Sequence, residues 1–267
     1  MRDVDVRPER EPFCELRRVN VARGDAIALH DIHLSIAAGE HVAILGPNGC
    51  GKSTLIKTLT CECYPLVVPG MLVQIFGRDR WDVQELRHRL GVVATELPGR
   101  STARTRGLDA VLSGFFSSAS LWANLTVTDE MHVRAQEALT RVDSQHLADK
   151  PVAQMSAGEA RRVMIARALV HQPEMLLLDE PTNALDLVAQ RDLRERLRGL
   201  AQAGTGIIMV THHLADILPE IDRVILIRDG RIFADGDKQT LLTPATLEQL
   251  FGAPVDVVER NGYWHNW

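Results

Sequence analysis

The run Gly46-Pro47-Asn48-Gly49-Cys50-Gly51-Lys52-Ser53-Thr54 concentrates residue types that can hold phosphate. It fits G-x-x-x-x-G-K-[ST], a spacing in which glycines let the backbone turn its N–H groups onto a phosphate chain. The helix that follows adds about +0.5 elementary charge at its start. Lys52 would set its ammonium against the β- and γ-phosphates, and Ser53 its hydroxyl against Mg2+, an ion that takes few protein ligands and keeps several waters. A second run, Met175-Leu176-Leu177-Leu178-Asp179-Glu180, is an apolar strand ending in two carboxylates. Neighbours on an extended chain point opposite ways, so the two acids divide the work. Asp179 would hold magnesium through its water shell, and Glu180 would polarise the water that attacks a γ-phosphate. A third run, Ile207 to Val210, leads into Thr211-His212, where an imidazole at a strand end can sense or steady that phosphate.

These groups work together only if the chain brings them together. His41 to Leu45, Met175 to Leu178 and Ile207 to Val210 are apolar at consecutive positions, which reads as strands buried on both faces of a parallel sheet. Ligands gather at the carboxyl ends of such strands, so Gly46, Asp179 and His212 should share one crevice. Phe13 to Val21, Ile32 to Ala37 and Leu72 to Phe76, flanked by Gly, Asp and Pro, predict a small antiparallel sheet beside the main one. Leu108 to Val142 reads as helical, with Met131, Ala135, Ala138, Leu139 and Val142 at helix spacing behind Thr128 and Asp129 as candidate caps. Leu193, Leu197 and Leu200 form a second stripe stopped by Gly204. Val224 to Ile227 and Arg231 to Ala234 read as a hairpin about Asp229-Gly230. The alternation predicts an α/β fold with a largely parallel sheet.

Composition narrows the function. A chain of 267 residues with 45% hydrophobic content can bury a sizeable core. Its formal charge of -5 lacks the basic excess that phosphate-backbone binding needs, so nucleic acid is not an expected partner. Met1 to Glu11, charged and interrupted by proline, reads as a frayed cytosolic start. No run approaches the ~18 apolar residues of a membrane span, so a membrane role must come through a partner. Cys14, Cys50, Cys61 and Cys63 lack the spacing of a disulfide framework or a thiolate zinc site, and imply a reducing compartment. Cys61 and Cys63, two apart near a helix start, point to different helix faces and read as packing.

A phosphate loop alone fits kinases, GTPases and helicases. No Asn-Lys-x-Asp guanine reader occurs, and Met155-Ser156-Ala157-Gly158-Glu159 precedes an Arg- and Ala-rich helix upstream of Asp179. Ser156 and that helix start make a second anion site, where one nucleotide needs only one. Here the chain resembles the ABC ATPases, whose Leu-Ser-Gly-Gly-Gln signature binds the γ-phosphate of a nucleotide held by the opposite subunit. Pro181 to Asp186 is similar to the family's D-loop, and His212 to its switch histidine. The resemblance covers roughly Phe13 to Gly236. It implies a P-loop NTPase core with a small antiparallel subdomain and an inserted helical subdomain. ATP and Mg2+ follow as cofactors, with Lys52, Glu180 and His212 as catalytic groups, Gly46 to Thr54 as the ATP site, and Ser53 and Asp179 on the metal. Ser156, Ala157, Gly158 and Glu159 would contact ATP in trans.

The sequence departs from that pattern in several places. Ala157 and Glu159 replace Gly and Gln of the signature, and the carboxylate of Glu159 near a phosphate would weaken the trans contact unless Arg161 or Arg162 offsets it. The adenine-stacking aromatic aligns with Arg23, whose guanidinium plane can stack in its place. The family's Gln after the strand Leu90 to Val93, which touches magnesium and the membrane partner, aligns with Thr95, beside Glu96. Cys50 stands where the family has a small residue; a redox brake there would need a lowered thiol pKa.

The resemblance implies an ATP-binding domain over 12–240, with the helical subdomain near 97–160, and an extension over 241–267. That extension reads as a helix on the sheet followed by an aromatic patch, Tyr263 to Trp267, for docking or packing. One set of motifs per chain implies a homodimer or a paired ABC subunit. An integral membrane permease subunit would complete a transporter, with this chain peripheral on the cytoplasmic face of the membrane. Gly107 to Leu121 is loosely similar to importers of iron chelates and molybdate. The rival is a soluble ABC ATPase that acts on a cytosolic partner.

Overall fold

A computed structural model describes residues 11–94, 105–118, 121 and 124–267. The frayed start expected over Met1 to Glu11 lies outside them, apart from Glu11, whose carbonyl accepts from Ala38 N at 3.1 Å. The chain opens with β1 (Pro12–Arg23) and β2 (Ala26–Ala37), which pair antiparallel and turn Leu16, Val19, Leu29, Ile32 and Ile36 inward. β3 (Val42–Leu45) is buried at every position, as an interior parallel strand must be. The loop after it opens α1 (Lys52–Leu59), and β4 (Leu72–Ile75) then joins the far side of β1. α2 (Val83–Arg89) leads straight into β5 (Leu90–Val93). Among the described residues three α-helices stand between β5 and the next strand: α3 (Gly107–Leu112), α4 (Asp129–Arg141) and α5 (Ala157–Leu169). Then come β6 (Met175–Asp179), α6 (Leu187–Gln202), β7 (Gly206–Thr211), β8 (Arg223–Arg228) and β9 (Arg231–Asp237). The chain closes with α7 (Lys238–Leu241), α8 (Pro244–Phe251), β10 (Val257–Arg260) and β11 (Tyr263–Asn266).

The main sheet runs β5-β6-β7-β3-β8-β9, parallel throughout except for β9, which returns antiparallel to β8. Asp229 and Gly230 make that return at φ 49° and 70°, the left-handed pair an Asp-Gly hairpin turn needs. Because side chains alternate along a strand, the sheet divides the core in two. Val42, Ile44, Met175 and Leu177 face the antiparallel sheet and α1. Ala43, Leu45, Leu176 and Leu178 face the helices.

Three expectations change. The helical reading of Leu108 to Val142 breaks: α3 tightens into a 3-10 turn over Ser113–Phe116 and ends at Ser117, at φ 51°. Gly114 lies in that turn against α5, where a Cβ would lie 2.5 Å from Arg167 O. The second helix forms where its cap was read, with Thr128 Oγ1 accepting from Met131 N at 3.2 Å. Cys61 and Cys63 lie beyond the last residue of α1, Cys61 at φ 59° in the closing turn, so helix faces do not place them. The aromatic terminus splits: Trp264 is 6% exposed in the helix-side core, with Leu247 and Leu250 of α8, while Trp267 is 71% exposed.

Candidate functional site

The loop Gly46 to Gly51 is shaped by close approach. A Cβ on Gly46 would lie 2.2 Å from Ile227 O, and one on Gly51 would lie 2.9 Å from Ala28 O at a φ of 107°. The loop is thus pressed against β8 and β2, and its backbone is held in place before any phosphate arrives. Lys52 is 7% exposed and donates to Gly46 O at 2.7 Å and Pro47 O at 3.0 Å. Its ammonium therefore already sits over the loop's carbonyls, while Ser53 in the first helical turn is exposed. Cys50 is buried beneath the loop, and burial pushes its thiol pKa up despite the charge of Lys52. A redox brake needs the opposite shift, so Cys50 serves as a small packing residue.

Strand register brings the other groups level with the loop. Leu45 sits beside Thr211, and Asp179 beside Val210, so β3, β7 and β6 end within one residue of one another. Three adjacent strands span about 10 Å, so Gly46, Asp179 and His212 stand along one carboxyl edge of the parallel sheet, where ligands gather. Glu180 adopts φ 46°, a left-handed conformation costing a non-glycine residue about 1–2 kcal/mol. Its N–H donates to Val210 O at 2.8 Å, and its Oε1 lies 2.8 Å from His212 Nδ1. The twist at Glu180 thus turns its carboxylate toward the imidazole while Asp179 completes the strand. His213 stands beside His212, their ring centroids 3.9 Å apart. Asp179 acts on Arg161, where burial lowers the guanidinium pKa and the Asp179 charge raises it. Arg161 also donates to Ala94 O at 2.7 Å, which ties α5 to the end of β5.

The donor set suits magnesium. The exposed hydroxyl on Ser53 would meet the ion directly and the half-buried carboxylate on Asp179 would hold it through its water shell, as an ion that takes few protein ligands allows. Among the described residues no group of three or more His, Cys, Asp or Glu could hold a metal, so the all-protein cage of a tighter metal site is not formed there.

Ser156 caps α5 through a reciprocal box. Its Oγ accepts from Glu159 N at 3.2 Å, and a Glu159 oxygen accepts from Ser156 N at 2.7 Å. Lys150 Nζ donates to both Glu159 oxygens, at 2.9 and 2.7 Å. The carboxylate is therefore offset by Lys150 and not by the arginines expected to do so: Arg161 is turned to Ala94, and Arg162 Nε donates to Ser144 Oγ at 3.1 Å. Gly158 is needed for packing, since a Cβ there would lie 2.9 Å from Ala189 Cβ at the start of α6. Asp186 caps α6, accepting from Ala189 N at 2.8 Å.

Lys150 holds the Glu159 carboxyl below the ordinary carboxylate range, with burial opposing and the Ser156 N–H assisting. A depressed pKa stabilises the fold above the unfolded value, about 4.3, and that stability is lost as pH falls through the folded value. At pH 7 the Glu159→Gln protein should melt below its parent, and in melting curves from pH 7 to 3 the gap should close below about pH 4. A constant gap would assign the difference to packing.

Arg23, at the end of β1, donates from Nη1 to Cys63 Sγ at 3.1 Å. Its guanidinium is fixed by the turn after α1, a contact no sequence spacing predicted. Thr95 and Glu96 lie outside the described residues. Sequence reading passed over Asp216, which is buried behind His212 and accepts from Thr182 and Thr211. An acid four residues after the switch histidine, inside an otherwise apolar stretch, was the available signal.

A phosphate loop at a strand end, two carboxylates on a strand two places over and an imidazole on the strand between define a P-loop NTPase. Residues 29–183 match the family model described as ABC transporter. The chain is 37% identical over 238 residues to the hemin import ATP-binding protein HmuV of Aliivibrio fischeri, covering 86% of each chain. It is 36% identical over 232 residues to the cobalt import ATP-binding protein CbiO of Rhodobacter capsulatus, covering 85% of this chain and 79% of that one. A dimeric ATP-binding cassette in a post-hydrolysis state, bound to ADP and Pi, matches with a TM-score of 0.68 at 27% identity, over 84% of this chain and 98% of that one. The chain belongs to the ABC transporter ATP-binding family. It is the subunit that binds and hydrolyses ATP for such a transporter.

Proposed function

We propose that two copies of this chain, or this chain and a relative, close head to tail on ATP and Mg2+ and so drive import of a metal chelate or oxyanion through a separate integral membrane permease. One observation carries the reading: Ser156 is exposed at the start of α5, on a different element from the loop at Gly46, so its phosphate site is open to another chain. Leu187 and Val188, just after Asp186, are 83% and 70% exposed, apolar area of the kind a second copy covers. Relatives named for hemin and cobalt import support the solute class. In this reading Gly46 to Thr54 and Arg23 hold ATP, Ser53 and Asp179 hold magnesium, and Lys52, Glu180 and His212 act on the γ-phosphate. Ser156, Ala157, Gly158 and Glu159 contact it in trans beside Asp186, and Thr95, with Glu96 beside it, stands at the sequence position of the family's glutamine.

The nucleotide domain spans 12–240, with its helical part near 97–160, and 241–267 packs against it. No described helix is long and apolar enough to cross a membrane. In this reading the permease holds the chain at the cytoplasmic face. Affinity purification from detergent-solubilised membranes tests this. The expected result is a multispanning protein in stoichiometric amount, released by removing the tagged chain. Recovery with a cytosolic protein alone would favour the soluble alternative, to which the Thr95 substitution points.

A further inference from the structure

Between the Glu180 turn and the His212 turn lies a buried carboxylate. Asp216 is 1% exposed. The Thr182 hydroxyl lies 2.7 Å from its Oδ1 and 2.8 Å from its Oδ2, and Thr211 Oγ1 donates to Oδ2 at 2.9 Å. Arg194 of α6 brings Nε to 3.7 Å from Oδ1. Burying an ionised acid is costly unless several donors meet it, and here three chain segments supply them. Thr182 stands two residues after Glu180, in a turn closed by Asn183 N on Glu180 O at 3.1 Å. Thr211 immediately precedes His212, and its hydroxyl oxygen also accepts from His213 N at 3.0 Å. Arg194 belongs to the helix that Asp186 caps.

We infer that Asp216 is a positioning residue for ATP hydrolysis, a single carboxylate that fixes the Glu180 turn against the His212 turn and so sets the 2.8 Å contact between them. This rests on the assignment of Glu180 and His212 to the γ-phosphate. The two turns leave neighbouring strands, and beyond the Glu180 N–H on Val210 O the bridge through Asp216 joins them. A general base held near a reacting water loses about 10²-fold in rate when displaced by ~1 Å, so this bridge bears on kcat. The phosphate loop leaves a different strand and packs on β2 and β8, so ATP affinity does not depend on it. The C-terminal hairpin backs the arrangement. A Cβ on Gly262 would lie 3.1 Å from Pro219, so the hairpin turn rests on the segment just past Asp216. Trp264 of the same hairpin shares the helix-side core with Leu214.

The test measures steady-state phosphate release and ATP binding in Thr182→Val, Thr182→Ser, Asp216→Ala and Glu180→Gln proteins, alone and in a His212→Ala background. Thr182→Val and Asp216→Ala should lower kcat by about 10²-fold with KM within about threefold, and Thr182→Ser should restore most of the turnover. In the His212→Ala background the same changes should add little, because the contact they set is already gone. Full additivity, a parallel loss of ATP binding, or an unchanged kcat in Thr182→Val would overturn the inference. Asp216→Ala takes the counter-ion from the Arg194 guanidinium and can fail to fold; the Thr182 pair then decides. If Glu180→Gln leaves hydrolysis intact, the catalytic assignment fails instead. If Glu180→Gln is inactive while Thr182→Val is not, the positioning role alone fails.

Discussion

Replacing Glu180 with Gln should lower steady-state phosphate release by about 10²- to 10⁴-fold while ATP stays bound. The amide keeps the shape of the side chain, and its oxygen can still meet His212, so the crevice stays assembled. What it loses is the capacity to take a proton from water, since an amide oxygen is a far weaker base than a carboxylate. Nothing in the phosphate loop changes, because Lys52 is anchored on Gly46 O and Pro47 O and not on Glu180. Binding and turnover therefore separate: equilibrium ATP binding stays at the parent value, and kcat alone falls. Hydrolysis at the parent rate would remove Glu180 from the mechanism and leave its left-handed backbone and its contact with His212 as structural features only.

The chemistry was legible where residue type and secondary structure are bound together. A glycine-rich loop between a buried strand and a helix can be placed from the order of its residues. Apolar strands of four or five residues ending in Asp-Glu or Thr-His can be placed the same way, because a parallel sheet aligns their ends whatever lies between. The antiparallel layer and the Asp229-Gly230 hairpin were legible for a similar reason, their signals being periodic or confined to a few neighbours. What sequence could not show was pairing between residues far apart in the chain. Glu159 was expected to meet an arginine on its own helix, but Arg161 and Arg162 project to other faces, and the ion comes from Lys150 in the preceding turn. Arg23 was read by its family position, yet its partner, Cys63, comes from a turn 40 residues on. Asp216 looked like one more polar residue near a strand end; only the fold shows that the Glu180 and His212 turns both lean on it, through Thr182 and Thr211. The role of Gly114 was invisible too, because it lies in its close contact with α5 and not in a positive φ of its own.

Placing arginine at position 156 tests the step that separates a paired motor from a single-chain enzyme. Ser156→Arg replaces an exposed hydroxyl at the start of α5 with a long cation, and nothing in the same chain's phosphate loop touches that side chain. ATP binding to the isolated chain should hold near its parent value. The ATP-dependent dimer, read by size exclusion in a Glu180→Gln background, should disappear, because the bulk of the arginine occupies the space where the partner's γ-phosphate must approach. Turnover in an otherwise unaltered chain should fall by about 10²- to 10³-fold, the scale set by losing a preorganised donor to a developing charge. Removing the cap also costs α5 about 1 kcal/mol, so melting curves must accompany the assay. A Ser156→Gly protein gives the control, since glycine caps a helix nearly as well and adds no bulk. If Ser156→Gly still pairs and Ser156→Arg does not, steric closure and not helix stability accounts for the loss. A strictly monomeric Ser156→Arg sample that turned over ATP at the parent rate would put the whole γ-phosphate site within one chain, and the exposed start of α5 would then need another occupant.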